Sequence, residues 1–384
     1  MKNKTIEIYL FIDALGWKIA NDYHFLRELL PYRKKITMQF GYSSSAIPTI
    51  LSGKTPAEHG HLGLFRFAPG ESPFKRFSQF AFFLRPRDFW MRGRVRHHLS
   101  KLLKKFYGFT GYFQLYSMPV EKLKYMDYCE KKDLFASRGM APIDNLFDEL
   151  SRLRVPFHIS NWRLSDSENY LAAEKAIIDG KTFLFVYSAG LDGFLHEHIG
   201  NSKAIGGYLE QMSIQIASLY AVARQNAERV NFTVISDHGM TPLSGTIDLM
   251  AALKSSDLKF GKDYGVCFDS TMARFYFLTS DAEIRIRAIL DAYRNYGHIL
   301  TVAEECGYGI FRADRRFGDC IFLVNPGLQI VPSDMGTAPL KGMHGYAPED
   351  IDSYAVMLSN IPIPEKIEKV VDYFDLMTKR AGLL

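Results

Sequence analysis

Short apolar runs recur along this chain and alternate with longer stretches whose apolar residues return with a helical period. A continuous apolar run bounded by turn residues marks a strand buried on both faces, and strands separated by helices build parallel sheets. On this pattern strands are predicted at 6–12, 182–187, 231–236, 274–278 and 319–324, and helices at 202–228, 282–296 and 364–380. The expected fold class is α/β, a three-layer sandwich with helices on both faces of a mostly parallel central sheet. The first run carries Glu7 inside it and leads straight to Asp13, so it reads as a first strand rather than a signal peptide. With 384 residues, 47% of them hydrophobic, the chain can bury a large core. Length alone would suit two or three domains, but single α/β domains with insertions reach this size, and 1–384 is read as one domain.

One stretch breaks the rhythm. Residues 67–139 are rich in aromatics and in Lys/Arg, with weak periodicity, and are expected to form a cap inserted into the core domain. Charge follows the same boundary. The whole chain carries +5, whereas residues 66–124 hold 13 Lys/Arg against three acids, a local +10. Such asymmetry points to an anionic substrate, or to an anionic membrane surface met through 66–124. A solvated helical face with Lys/Arg lying along apolar surface gives the same pattern. No specific nucleic-acid partner is expected, because no base-reading motif accompanies the charge. Cys129, Cys267, Cys306 and Cys320 are scattered without a CxxC pair, which argues against a zinc ribbon or a disulfide scaffold and for reduced thiols. No uncharged apolar run of about 18 residues exists to span a bilayer. The expected location is cytoplasmic, with a peripheral place at the inner membrane surface as the alternative.

The Asp and His residues that could carry chemistry sit at strand ends. They fall in Ile12-Asp13-Ala14-Leu15-Gly16, in the segment from Tyr187 through Asp192 to His196, in Ser236-Asp237-His238-Gly239-Met240, and in Gly342-Met343-His344-Gly345-Tyr346. Parallel α/β sheets bind ligands beyond the carboxyl ends of their strands, so Asp13, Asp192 with His196, and Asp237 with His238 should gather along one edge. Mixed imidazole and carboxylate ligands suit a divalent ion such as zinc. Each fragment alone has an ordinary structural reading, with Asp as a helix cap, Gly at a positive φ and His as a satisfied polar residue. A further segment runs from Gly41 to Gly60 and holds Ser43, Ser44 and Ser45 ahead of an apolar helical stretch that stops at Gly53. A hydroxyl at that helix N-terminus meets the positive helix end, which suits a phosphoryl group, while a neighbouring serine can serve as the cap.

In this order and company the fragments resemble the alkaline phosphatase superfamily, in particular its type I phosphodiesterase / nucleotide pyrophosphatase branch. The resemblance runs from Asp13 to Gly345 and includes Pro56-Ala57-Glu58-His59-Gly60 and the Asp-x-x-x-His spacing of Asp192 and His196. It implies two divalent ions, zinc or, as in some relatives, manganese. One would be held by Asp192, His196 and His344, the other by Asp13, Asp237 and His238 together with a serine nucleophile. The family distance between nucleophile and glycine, counted back from Gly53, selects Ser43, with Ser44 in reserve and Ser45 last. Catalysis through a phosphoseryl intermediate is implied.

Departures from the family pattern fall at three places. Leu64 stands where an Asn often binds a phosphoryl oxygen, leaving His61 or Arg66 as substitutes for substrate binding. Ala14 replaces the glycine after the first Asp. His198 offers a ligand two residues past His196, although the usual spacing favours His196. The implied function is a phosphodiesterase or nucleotide pyrophosphatase acting on a small-molecule, lipid-linked or glycan-linked phosphate ester. Phosphomonoesterase or phosphotransferase chemistry at the same site is the alternative. A sulfatase would show x-Pro-x-Arg after the nucleophile, where Ser44-Ser45-Ala46-Ile47 stands. A sugar-phosphate mutase would carry a larger inserted domain, and a non-catalytic module would have lost a ligand or the nucleophile.

Overall fold

The computed structural model describes residues 3–77, 90 and 92–382. The chain divides into two compact units, Met1–Thr55 with Leu134–Pro242 and Pro348–Leu384, and Pro56–Asp133 with Leu243–Ala347.

The first unit is built on β1 (Asn3–Ile12), β2 (Tyr32–Ile36), β3 (Phe157–Ile159), β4 (Phe183–Ser188), β5 (Ala227–Ile235) and β6 (Ala355–Ser359), in the sheet order β2-β6-β5-β1-β4-β3. β1 runs parallel to β4 and β5, β3 parallel to β4, and β6 antiparallel to its neighbours β5 and β2. Alternate residues of a strand point to opposite faces, and β1 is apolar on both. Ile6, Ile8, Leu10 and Ile12 enter one core, whereas Tyr9 and Phe11 enter the other. Helices α1 (Ser43–Ser52), α2 (Asp166–Ile178), α3 (Gly190–His198), α4 (Ser202–Asn226) and α5 (Tyr373–Arg380) cover the two faces. Tyr170, Ala173, Leu209 and Ile216 of α2 and α4 lie in the first core. Ile47, Ile50, Leu376 and Met377 of α1 and α5 lie in the second. Helices on both faces of a mostly parallel sheet make the three layers that the sequence pattern predicts.

Two predicted helices differ from those observed. The 364–380 helix begins only at Tyr373, because the segment before it pairs with Thr37: Thr37 N–H donates to Glu368 O at 2.8 Å and Val370 N–H donates to Thr37 O at 3.0 Å. Asp372 then accepts from the Glu368 and Lys369 amides, both at 2.8 Å, and starts the helix. The 282–296 helix ends at Ala292, and the strand Gly297–Ile299 follows it, pairing with Cys320–Val324. A side chain at 297 would put its Cβ 2.3 Å from Leu323 O, so only glycine lets the strands meet there.

Glu7 interrupts the apolar run of β1. Its carboxylate accepts from the Asn231 side chain and is otherwise buried beside Tyr9. Burial raises its pKa to about 7, partly offset by Asn231 and by the charge of Arg380. Holding it ionised above that pH therefore weakens the fold. Glu7→Gln is expected to raise stability at pH 8 by about 2 kcal/mol. It should change stability little at about pH 3, below the ordinary carboxylate value of 4.5, where folded and unfolded chains both hold the proton. Thermal unfolding at the two pH values checks this, and equal shifts would contradict it.

The second unit contains a four-stranded antiparallel sheet, Tyr264–Phe268, Met272–Phe277, Cys320–Val324 and Gly297–Ile299 in that order. Its aromatic residues form a core of their own. Phe65, Phe67, Phe74, Leu99, Leu103, Phe113 and Tyr128 pack in one cluster with Cys267 and Tyr276. Among the described residues of the expected 67–139 cap, Phe67, Phe74, Phe113, Tyr128 and Phe135 are thus interior. Residues 78–89 and 91 of that stretch lie outside the described residues. No helix among the described residues is long and apolar enough to cross a membrane.

Candidate active site

At the carboxyl edge of the first unit's sheet, β1 ends in Asp13, whose amide donates to Ser188 O at 3.0 Å. Ala14 then takes a left-handed conformation, φ 62°, which reverses the chain and lets its amide donate to Asp237 Oδ1 at 3.3 Å. A glycine would adopt that backbone without the roughly 1–2 kcal/mol that a Cβ costs. The loop after β5 comes equally close. A Cβ on Gly16 would lie 2.7 Å from Gly239 Cα, and one on Gly239 would lie 2.0 Å from Asp352 O. These two glycines let the Asp13 loop and the Asp237-His238 loop meet.

Asp13, Asp237 and His238 are all buried, with one ligand atom of each within 4.8 Å of the others. His238 Nδ1 lies 2.8 Å from Gly239 O, so the proton belongs there and Nε2 turns its lone pair toward the carboxylates. Nε2 stands 3.3 Å from Asp237 Oδ2 and 3.5 Å from Asp13 Oδ1. Burial, and then the charges of Asp237 and Asp192, push the Asp13 carboxyl well above its ordinary range. Burial likewise raises Asp237, against the opposing pull of His238. Asp237 Oδ2 accepts no hydrogen bond from the described residues. Two buried carboxylates and an imidazole lone pair sharing so little space are costly without a cation, and they fit a divalent ion well.

Ser43 opens α1 and belongs to this cluster. Its Oγ donates to Asp13 Oδ1 at 3.3 Å and lies 3.1 Å from His238 Nε2. The neighbouring serines are placed elsewhere. Ser45 Oγ donates to Phe40 O at 2.8 Å and Tyr42 O at 2.9 Å, holding the helix entry, while Ser44 Oγ is buried without a partner among the described residues.

Asp192 and His196 lie one turn apart on α3, with Oδ1 and Nε2 separated by 3.5 Å. His198 is about 200° further round the helix than His196, and its ring packs on Phe194 at 4.4 Å. The start of α3 is held by Asp166, which accepts from Ser188 Oγ at 2.6 Å and from the Ala189 amide at 3.0 Å. A Cβ at Gly190 would lie 2.5 Å from the Tyr208 hydroxyl and 2.7 Å from Asp166 Oδ2, so a larger residue would displace the carboxylate that holds the helix start.

The remaining predicted residues belong to the second unit. His344 is buried after the short strand Gly342–Met343, and the chain there is anchored by Thr271 Oγ1 donating to Gly345 O at 2.8 Å. Burial and the nearby charge of Arg316 lower the His61 pKa to about 4, so this ring is neutral at pH 7. Arg66 is buried, and its Nη2 donates to Asp127 at 2.8 Å and to Glu71. Leu64, which replaces the family Asn, packs in the second unit's core.

The family model for type I phosphodiesterase / nucleotide pyrophosphatase matches residues 8–347. This chain belongs to that family. It is accordingly a phosphoric ester hydrolase of the alkaline phosphatase superfamily. Among solved structures it is similar to murine ectonucleotide pyrophosphatase / phosphodiesterase 5, with a TM-score of 0.68 at 14% identity over 100% of this chain and 96% of that one. An inactive variant of the murine protein in complex with AMP matches equally well, with a TM-score of 0.68 and 14% identity over the same shares of the two chains. The human counterpart matches with a TM-score of 0.67 at 13% identity, over 100% of this chain and 96% of that one. At these identities the likeness concerns the fold. Among curated protein sequences none matches significantly.

Two residues of this phosphodiesterase relative escape sequence reasoning. Asp166 carries no local signal for its hold on α3. Tyr187 sits inside an apolar run, yet its hydroxyl donates to Asp13 Oδ2 at 2.6 Å. The parallel register that sets Phe11 beside Tyr187 brings it there, leaving Oδ1 to face Ser43 and His238. If a divalent ion occupies this cluster, Tyr187→Phe is expected to weaken its binding by about 10–100-fold while preserving the fold, with activity restored by excess metal. Competition against a chelator measures it, and an unchanged affinity would show that Tyr187 does not orient the ligand.

Proposed function

We propose that this enzyme hydrolyses a phosphodiester or pyrophosphate bond in a nucleotide-like small molecule, with Ser43 as nucleophile and two zinc ions as cofactors. The observation that carries the reading is the position of Ser43 Oγ, 3.1 Å from His238 Nε2 and 3.3 Å from Asp13 Oδ1 at a helix N-terminus. Asp13, Asp237 and His238 would hold one ion, and Asp192, His196 and His344 the other. When bound, such a pair would supply positive charge that favours the serine alkoxide and neutralises the phosphoryl oxygens.

The chain's own groups do the rest. Asp13 Oδ1 accepts the Ser43 hydroxyl proton in a hydrogen bond and aims the oxygen outward. As Ser43 Oγ attacks phosphorus its proton passes to Asp13 Oδ1, the P–O bond to the leaving group breaks, the leaving oxygen departs as an anion and a phosphoserine ester forms. Water then cleaves that ester and returns Ser43. The first-turn amides of α1 offer donors to non-bridging oxygens. His61, neutral at pH 7, would contribute an imidazole to substrate binding, and the 67–139 cap would select the second substituent. The AMP complex of the murine relative's variant supports a nucleotide-like substrate. Four free cysteines support a reducing, cytoplasmic setting.

Purified protein assayed on bis-p-nitrophenyl phosphate and p-nitrophenyl phosphate, before and after EDTA and with zinc or manganese restored, tests the proposal. Chelator-sensitive turnover with the diester preferred is the expected result. Preference for the monoester would move the reading to a phosphatase or phosphotransferase, and chelator-resistant turnover would remove the two-ion mechanism.

A further inference from the structure

The helix Gly93–Phe106 in the second unit contains no acidic residue. Its inner face is fastened in place. Arg96 is buried and donates through Nη2 to Leu115 O at 3.0 Å and Met118 O at 2.5 Å, while Ser100 Oγ accepts from the Leu115 amide at 3.1 Å. Leu99 and Leu103 complete this face within the unit's aromatic core. The helix therefore cannot turn to hide what lies opposite.

Opposite lie Arg94, His98, Lys101 and Lys105, all exposed, on the i, i+4, i+7, i+11 pattern of one helical face. To one side of them, between this cationic stripe and the buried face, lie Leu102 and Phe106, one turn apart and 63% and 73% exposed. Scattered exposed apolar residues are ordinary, but two on one stripe, running alongside a stripe of cations, form an interfacial pattern. Apolar side chains gain by entering the boundary of a bilayer, and Lys and Arg gain beside anionic headgroups. A nucleic-acid backbone would use the cations but offer Leu102 nothing.

We propose that this face docks the enzyme on an anionic phospholipid surface, with Leu102 and Phe106 entering the headgroup boundary and Arg94, Lys101 and Lys105 meeting lipid phosphates and carboxylates. The docking concerns where the enzyme works and is independent of which ester it hydrolyses.

Sedimentation of the full-length protein with phosphatidylcholine vesicles, with and without phosphatidylserine, tests it. Binding is expected only with phosphatidylserine and should fall with salt. The Lys101→Glu/Lys105→Glu variant and the Leu102→Ala/Phe106→Ala variant should each lower binding at least about tenfold, with thermal unfolding and hydrolysis of soluble bis-p-nitrophenyl phosphate unchanged. Absence of binding to phosphatidylserine vesicles would overturn the proposal. So would binding indifferent to Leu102→Ala/Phe106→Ala, or a single-stranded oligonucleotide bound equally well, since either makes the face a general polyanion surface.

Discussion

Replacing Ser43 by alanine is expected to lower kcat on bis-p-nitrophenyl phosphate by on the order of 10⁴-fold or more, while bound zinc and the unfolding temperature stay unchanged. The three proposed ligands beside it, Asp13, Asp237 and His238, need nothing from Ser43 to remain in place. Asp13 is held by Tyr187 at 2.6 Å, and His238 by Gly239 O at 2.8 Å. Ser44→Ala serves as the control, because its hydroxyl makes no hydrogen bond in the described structure and its loss should change kcat less than about tenfold. Ser45→Ala removes two bonds to the Phe40 and Tyr42 carbonyls and should cost about 1 kcal/mol of stability without a comparable loss of rate. An active Ser43→Ala enzyme beside a dead Ser44→Ala enzyme would place the nucleophile one residue on.

Stripping metal with EDTA is expected to destabilise the protein strongly at pH 8 and much less at pH 5. Folding raises the Asp13 and Asp237 carboxyls above their ordinary 3.8, chiefly through burial, so the metal-free fold binds more protons than the unfolded chain in the window above that value. The stability these two carboxyls contribute is greatest below the ordinary carboxylate range and is lost as pH rises through the raised values. A cation reverses the balance by favouring the ionised carboxylates, and at about 1,000 times its dissociation constant contributes about 4 kcal/mol. Thermal unfolding with and without EDTA across pH 5–8 measures the difference. A difference that does not grow with pH would separate the carboxylates from metal binding.

Asp13, Asp237 and His238 were legible in the sequence because each follows an apolar run directly. A strand's end can be read from its own residues, and the chemistry of a parallel sheet lies there. Arg66 shows the opposite. In sequence it is an available cation, whereas in the fold Asp127 and Glu71 surround it. Tyr187 read as one more core aromatic until the β1–β4 register set it beside Asp13. Residues 364–372 carried a helical pattern but yielded to Thr37, a partner that no local window contains.

The choice among three adjacent serines marks the boundary most clearly. Residue type, order and spacing along the chain were enough to determine the α/β class, the strand-end carboxylates and histidines, and a serine-bearing helix start. Those features depend on local periodicity and on turn chemistry within a few residues. Which hydroxyl meets the carboxylates was decided by the tertiary structure, through bonds from Ser43 to groups 30 and 195 residues away. Contacts of that separation depend on sheet order and on two glycines that let loops touch, and packing supplies both only when the chain has folded.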